Sequence, residues 1–175
     1  MTEQEKVVEA LQTAVLMEND GINCYRQAAA DSKNEAGRQL LKSLADDEDA
    51  HLHKLEAIYK EISASKSWPA TSFEPEAESR LRSIFTNACQ VNGVNVDAVA
   101  AELDILKTAI DKEKKSYDFY ERQISKTTYD VEREFYEKIA AEERGHELLL
   151  IDYREYLSDP AGWFVKTEHS SFDGG

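Results

Sequence analysis

Four segments of the chain carry apolar residues at alternating steps of three and four, the spacing of a single helical face. The segments lie at about 3–30, 35–64, 97–124 and 129–158. One glutamate interrupts each apolar stripe near its middle, and these four residues are Glu18, Glu48, Glu113 and Glu143. Glycine and proline are scarce, with 7 and 3 residues, which also favours helices. The pattern predicts four long helices whose inward faces bring four carboxylates into one core.

The connections between these segments predict the topology. Residues 31–34 and 125–128 are short polar turns, and short connections join antiparallel neighbours. Residues 65–96 form a far longer connection, in which a short helix is predicted at about Ala77–Phe85. The predicted fold is therefore all-α: a four-helix bundle over residues 1–158, built from two helical hairpins that a long crossover joins.

The end of the chain is predicted to leave the helical pattern. Asp159 and Pro160 follow the fourth segment, and a proline inside a helix removes a donor and clashes with the preceding turn. We expect residues 159–175 to form a non-helical tail. Its apolar residues, Trp163 among them, are expected to dock on the bundle or on a second subunit.

The second helix pair repeats the first at an offset of 95 residues, the separation of Glu18 and Glu113. The same offset relates Glu48 to Glu143, His51 to His146, and Tyr25 to Tyr120. Several apolar core positions are also matched, while the rest of the two halves is dissimilar. The repeat predicts two structurally equivalent halves that share polar residues at the centre of the bundle.

Four carboxylates in an apolar core require compensation, because an unpaired buried charge strongly destabilises a fold. No lysine or arginine lies on the four stripes. Three explanations are open: protonation with raised pKa values, a wet interior, or bound cations. His51 and His146 favour cations, because each follows a glutamate by three residues on the same helical face.

The candidate metal ligands are four carboxylates and two imidazoles. Two divalent cations would neutralise the four negative charges of this set. Oxygen and nitrogen donors without thiolate suit iron or manganese better than structural zinc. We predict two iron ions, with manganese or a mixed pair as the alternative, bound by Glu18, Glu48, His51, Glu113, Glu143 and His146.

Other polar residues near these ligands have less direct predicted roles. Tyr25 and Tyr120 lie on the stripes as aromatic core, and their hydroxyls are candidates for a catalytic role beside a ligand carboxylate. His53 lies off the stripe and is expected at the surface, and His169 falls in the tail. Four acidic residues are expected to be solvated, with orientation of a histidine as the alternative: Asp46, Asp47, Asp49 and Glu142.

Residues 1–158 resemble the ferritin-like superfamily and, within it, the rubrerythrin di-iron domain. The resemblance is carried by Glu18 and by the runs DDEDAHLHKL, IDKEKKSYDFY and AEERGHELLL. It implies that Glu48 and Glu143 bridge two irons, that Glu18 and Glu113 are terminal ligands, and that each histidine binds one iron. It also implies reduction of peroxide with electrons from a rubredoxin domain.

The sequence departs from the rubrerythrin pattern at two points. No CxxC is present, so a rubredoxin-type iron site is not expected, and electrons would come from a separate donor protein such as a rubredoxin. Rubrerythrins proper also carry an extra glutamate three residues after the third-helix ligand, where this chain has Ser116. We therefore expect the plain six-ligand set.

The expected function is an oxidoreductase that reduces peroxide or dioxygen. Two alternatives stay open: oxidation and handling of iron by a ferritin-like protein, and a non-catalytic metal-binding bundle. The net charge of −14 argues against nucleic acid or an anionic membrane as a partner. The N-terminus lacks an apolar signal core, so we expect a cytoplasmic protein with reduced Cys24 and Cys89. A homodimer is expected, because a bundle with an aromatic tail has surface to cover.

Overall fold

The computed structural model describes residues 2–65, 68–69, 77–127 and 129–172. Its helices are α1 Glu3–Asp31, α2 Glu35–Ser65, α3 Ala77–Val91, α4 Val99–Ile124, α5 Asp130–Ser158 and α6 Pro160–Phe172, with a 3₁₀ turn at Val96–Ala98 before α4. This part of the chain is all-α, which confirms the predicted fold class. None of the helices described is long and apolar enough to cross a membrane.

The four long helices form two hairpins, as predicted. Helices α1 and α2 pack along their length, as do α4 and α5, while contacts between the two hairpins are far fewer. A capping box begins α1: the Thr2 hydroxyl accepts a hydrogen bond from the Glu5 amide, and the Glu5 carboxylate accepts one from the Thr2 amide. The hairpins therefore meet mainly through the side chains that face the common core.

The crossover contains a longer helix than the sequence predicted. Helix α3 continues beyond Phe85 to Val91 and packs against α2 and α5. Its buried residues Leu81, Phe85 and Ala88 follow each other at helical spacing, so the apolar face continues past the predicted end. Neither Cys24 nor Cys89 is in a disulfide.

The prediction of a non-helical tail was wrong, because α6 spans Pro160–Phe172. Asp159 leaves the helical conformation and accepts a hydrogen bond from the Gly162 amide through Oδ1 (3.0 Å). It therefore caps a new helix in which Pro160 occupies the first position, where proline is favoured because its missing N–H is not needed. The proline begins a second helix here.

Docking of the tail on the bundle is confirmed for its tryptophan. The Trp163 side chain is buried, contacts the rings of Phe85 and Tyr156, and donates from Nε1 to Asp152 Oδ1 (2.8 Å). Phe164 is partly buried against the same cluster, whereas Val165 is exposed. Helix α6 thus closes one end of the bundle over the crossover helix.

The apolar core forms two clusters at opposite ends of the bundle. The Trp68 end comprises the cluster around Tyr120 and Tyr136, with Trp68 packed against it. The Trp163 end comprises the cluster around Phe85 and Trp163, which α3 and α6 cover. The buried carboxylates and histidines lie between the two ends.

Candidate metal centre

The structure brings all six predicted ligands together in the middle of the bundle, and each is at most 3% exposed. Their donor atoms form two overlapping groups, in each of which all atoms lie within 4.8 Å of one another. One group contains Glu18 and His51, the other contains Glu113 and His146, and Glu48 and Glu143 belong to both. The two shared carboxylates stand where residues bridging two ions would be, and metal binding by the six residues remains a prediction.

The two histidines face the carboxylates through the same ring atom. His51 Nδ1 lies 3.1 Å from Glu143 Oε1, 3.5 Å from Glu48 Oε2 and 3.6 Å from Glu18 Oε2. His146 Nδ1 lies 3.0 Å from Glu48 Oε1 and 3.7 Å from Glu113 Oε2. The two rings stack, with centroids 5.7 Å apart and an interplanar angle of 15°. Both imidazoles thus direct Nδ1 at the centre of the cluster.

The outward nitrogens of the histidines meet two further carboxylates, each from the opposite hairpin. His51 Nε2 lies 2.5 Å from Glu142 Oε2, and His146 Nε2 lies 3.4 Å from Asp47 Oδ2. Glu142 accepts a hydrogen bond from His51 Nε2–H, which fixes that ring and leaves its Nδ1 lone pair for a cation, whereas Asp47 stays at ion-pair distance from His146 Nε2. Asp47 and Glu142 are buried, so the expectation that they are solvated was wrong, and the alternative of orienting a histidine is the one their geometry favours.

The sequence contained a signal for these two residues. Asp47 and Glu142 are related by the same 95-residue offset as the ligands and immediately precede Glu48 and Glu143. They lie off the apolar stripe, which is why helical periodicity alone assigned them to solvent. In the structure Asp47 also pairs with Arg80 of α3, so the crossover helix contacts one of the two histidine-orienting carboxylates.

Two tyrosines hydrogen-bond the terminal carboxylates across the hairpins. The Tyr25 hydroxyl donates to Glu113 Oε1, and the Tyr120 hydroxyl donates to Glu18 Oε1. Both rings are fully buried, and burial followed by the charge of the bonded glutamate raises both tyrosine pKa values well above normal. The tyrosines are therefore neutral donors that orient Glu18 and Glu113, and their predicted catalytic role stays a prediction.

The protonation of the cluster reflects its crowding with negative charge. Burial and then the charge of Glu48 raise the pKa of Glu18 from 4.5 to about 8. Burial and the neighbouring carboxylates raise the pKa of Glu143 as well. Burial alone would raise the pKa of Glu48, but hydrogen bonds with Glu18, His146 and His51 lower it. Without cations the cluster is therefore partly neutralised by protons.

The histidines show the same demand for positive charge. Burial opposes charging of both rings, yet the hydrogen bond with Glu142 and the nearby Glu143 carboxylate raise the pKa of His51. The nearby carboxylates of Asp47 and Glu113 likewise raise the pKa of His146. Metal binding needs these nitrogens and carboxylates deprotonated, so cations would displace protons, and affinity would fall at low pH.

Two buried carboxylate oxygens without a hydrogen-bond partner test whether the cluster suits cations. Glu113 Oε2 and Glu143 Oε1 are buried, and neither accepts a hydrogen bond from the part of the chain that the structure describes. Buried polar atoms are almost always satisfied, so such atoms indicate a missing partner. Since both point into the two donor groups and all donors are oxygen or nitrogen, the residues fit a pair of iron or manganese ions.

A narrow cavity lies beside the cluster between α1 and α4. It measures about 10 Å³, room for one water-sized molecule. Apart from Tyr25 and three of the ligands it is lined by Met17, Gly21, Lys112 and Ser116. A methyl group at Gly21 would lie 3.5 Å from Glu48 Cγ, so any larger side chain there would fill the space. These lining residues were not identified from the sequence, although the 95-residue offset pairs Gly21 with Ser116 and Met17 with Lys112.

The remaining candidates lie away from the cluster. His53 and Asp46 are exposed, as expected. Asp49 is partly exposed and lies 3.6 Å from Arg26. The side chain of His169 lies outside the described residues.

The family model described as Rubrerythrin matches residues 9–153. The chain belongs to the rubrerythrin family. The matched stretch includes both hairpins and all six predicted ligands, which agrees with a ferritin-like bundle whose buried Glu/His cluster can hold metal. Among curated proteins and among solved structures, nothing matches the chain significantly.

Proposed function

We propose that this rubrerythrin-family protein binds two iron ions in the Glu/His cluster and reduces peroxide, with dioxygen as the alternative oxidant. A separate one-electron donor, such as a rubredoxin, would restore the reduced state. The observation that supports this proposal is the pair of overlapping donor groups that share Glu48 and Glu143. A structural site for one ion would need neither the second group nor the second histidine.

Each residue of the cluster has a distinct role in this proposal. Glu48 and Glu143 would contact both ions. Glu18 with His51 would complete one ligand set, and Glu113 with His146 the other. Ser116, where rubrerythrins proper have an additional glutamate, lines the cavity and offers no carboxylate, so the set stays at six ligands.

Two ferrous ions would supply the two electrons that convert hydrogen peroxide to two water molecules. The conversion also consumes two protons, and the chain holds protons at the right place. Tyr25 and Tyr120 each donate an O–H to a terminal carboxylate, and Tyr25 also lines the adjacent cavity. The Tyr25 hydroxyl can therefore pass a proton to an oxidant in that cavity and recover it from solvent.

The cavity favours a small oxidant. Its volume of about 10 Å³ suits a molecule close to the size of water, and Lys112 and Ser116 give it a polar lining. Hydrogen peroxide, with one oxygen more than water, exceeds this volume only slightly, whereas a branched alkyl hydroperoxide would require α1 and α4 to separate. The size limit makes hydrogen peroxide the favoured substrate over bulky peroxides.

Anaerobic titration with ferrous iron tests the binding half of the proposal. We expect two ions per chain, and we expect Glu48→Gln and Glu143→Gln to bind fewer because each removes a shared ligand. Glu102→Gln is the matched control, since Glu102 is also buried but accepts hydrogen bonds from Ser32 and Tyr153 outside the cluster. Equal iron binding by Glu48→Gln and the control would refute the assignment.

Stopped-flow mixing of the diferrous protein with hydrogen peroxide or dioxygen tests the chemistry. We expect rapid optical oxidation by peroxide and slower oxidation by tert-butyl hydroperoxide. Faster reaction with dioxygen, together with a cage-sized assembly in sedimentation, would favour iron oxidation and storage instead. A diferrous sample that peroxide leaves unchanged would end the enzyme proposal.

A further inference from the structure

A row of aromatic rings leads from the candidate metal centre to the Trp68 end. The Tyr120 hydroxyl donates a hydrogen bond to Glu18, and the Tyr120 ring stacks on Tyr136 with centroids 6.1 Å apart. The ring of Tyr136 in turn meets Trp68 edge-on, with centroids 5.8 Å apart. Tyr120 and Tyr136 are fully buried, so the row connects a ligand carboxylate to the bundle end through closely packed rings.

The row ends at a cavity that opens to solvent. The cavity measures about 130 Å³, and Trp68 lines it together with Lys6, Lys126 and Glu132. Trp68 Nε1 is buried and has no hydrogen-bond partner within the described ranges. A small reductant or a few water molecules fit beside the ring.

The positions that the repeat relates to these three residues form no such row. The offset relates Tyr120 to Tyr25 and Trp68 to Trp163, but it relates Tyr136 to Leu41. Tyr25 makes no ring contact with an aromatic residue among those described, and Trp163 packs instead within the cluster of the crossover end. The aromatic connection between centre and surface is therefore specific to the Trp68 end of the bundle.

We propose that Tyr120, Tyr136 and Trp68 carry oxidising equivalents from the metal centre to the Trp68 end when peroxide reacts without a reductant. The proposal rests on the proposed function of the centre. Redox-active Tyr and Trp side chains can exchange single electrons over short ring-to-ring contacts. The path would protect the ligand residues by moving oxidative damage to a site that a reductant can reach.

The electron and proton balance of the path follows from its contacts. After one peroxide has oxidised both ferrous ions, a second peroxide at the centre would be the oxidant, since its reduction to two water molecules takes two electrons and two protons. Tyr120 would supply an electron and pass its phenolic proton to Glu18 across their hydrogen bond. Trp68 then reduces the Tyr120 radical, and the proton returns from Glu18 to Tyr120. The Tyr136 hydroxyl has no described partner to accept a proton, so its ring serves as the contact between the two stations.

After Trp68 has lost one electron, it can either regain an electron or lose a second one. A one-electron reductant in the cavity restores the indole. Without one, loss of a second electron and attack by water forms a carbon–oxygen bond and releases two protons, leaving a hydroxylated tryptophan. Oxygen addition at Trp68 is therefore a lasting record of the path.

The experiment treats the full-length, iron-loaded protein with excess hydrogen peroxide in the absence of reductant. Iron oxidation is followed optically, radicals by freeze-quench electron paramagnetic resonance, and oxygen addition by peptide mass spectrometry. We expect a tryptophan radical and oxygen addition at Trp68 but not at Trp163. Trp163 is the internal control, because it occupies the equivalent repeat position without a ring connection to the centre.

Four variants separate the steps. Tyr120→Phe should lose oxygen addition at Trp68, because it removes the hydroxyl that passes a proton to Glu18. Tyr136→Leu should lose it as well, because it replaces the ring between Tyr120 and Trp68 by leucine, the residue at the repeat-related position 41. Tyr136→Phe keeps the ring and should retain the addition. Tyr25→Phe removes the equivalent hydrogen bond in the other half and should leave the yield at Trp68 per iron oxidised unchanged.

The outcomes distinguish the path from the function on which it rests. If peroxide oxidises the iron but Trp68 is unmodified, or Trp163 is modified equally, the path is wrong and the proposed function stands. Equal modification of Trp68 in metal-free protein would also overturn the path, because it would show direct surface oxidation. If peroxide does not oxidise the iron, the function and the path both fall.

Discussion

The 95-residue offset relates residues at one end of the bundle to residues at the other, but the two ends differ in how their cores are covered. At the Trp163 end, α3 and α6 cover the core, and Phe85 contacts three aromatic rings there. At the Trp68 end no helix among those described covers the core, and a cavity reaches Trp68. The six predicted ligands between the ends keep matched positions. The comparison indicates that the centre is alike in both halves, whereas one end is capped by two helices and the other carries a cavity beside Trp68.

Truncation of one aromatic residue at each end tests the difference between the two ends with the largest expected effect on stability. Phe85→Ala removes a fully buried ring and should destabilise the protein by about 3–5 kcal/mol, because the cavity cannot collapse under α3 and α6. Trp68→Ala should destabilise it less, since the indole is partly exposed. Chemical denaturation of both variants measures the difference. Equal destabilisation would contradict the division into a cap and an open end.

The pH dependence of the metal-free protein separates the centre from the two ends. The raised pKa of Glu18 means that its stabilising protonation is complete below pH 4.5 and is lost as the pH rises through about 8. The raised pKa values of Glu143, His51 and His146 act in the same direction. The metal-free protein should therefore lose a few kcal/mol of stability between these pH values.

Thermal unfolding across this pH range, with and without bound metal, checks the prediction. The loaded protein should show a much smaller dependence, because the cations replace the protons. If the metal-free protein became more stable on raising the pH, the cluster would not be holding protons. Protection from hydrogen exchange should weaken at both ends alike, since the centre contacts both clusters.

Substitution of the histidine-orienting carboxylates tests the symmetry of the centre. Asp47→Ala and Glu142→Ala should each lower iron affinity about 10–100-fold, the usual effect of losing a partner of a metal-ligating histidine. Isothermal titration measures it. Arg80→Ala should affect affinity through Asp47 alone, because Arg80 pairs with that residue and not with Glu142. Unchanged affinity in both carboxylate variants would show that neither orients a ligand.

The smallest expected effect concerns Glu132 at the Trp68 end. Burial and then the charge of Glu3 raise the pKa of Glu132 to about 7. Its contribution is therefore present below pH 4.5 and lost as the pH rises through about 7, and it amounts to less than about 1 kcal/mol after solvent screening. The hydrogen-exchange protection factors at this end, which correct for the intrinsic exchange rate at each pH, should fall over that range, and Glu132→Gln should abolish the fall. A change of the same size in the variant would assign the effect elsewhere.

The sequence predicted the features that depend on periodicity and repetition. The stripes located four helices to within a few residues, and the glutamates and histidines on them do converge in the structure. The sequence did not predict the features that depend on packing between the hairpins. Asp47 and Glu142 lie beside the stripe, and only the approach of α2 to α5 brings them to the histidines.

The tail shows a different limit of the sequence analysis. Proline was taken as a helix breaker, yet Asp159 supplies a cap and Pro160 a first position, so the same two residues both end α5 and begin α6. Whether such a helix persists depends on a surface to dock on. That surface is the aromatic cluster of Phe85 and Tyr156, which belongs to two helices distant in sequence.

The central claim is that the shared carboxylates hold two metal ions. Anomalous diffraction from crystals loaded with ferrous iron without oxygen tests it most directly. We predict two peaks, one beside Glu18 and His51 and one beside Glu113 and His146, with Glu48 and Glu143 contacting both. A single peak, or none within reach of these carboxylates, would contradict the claim.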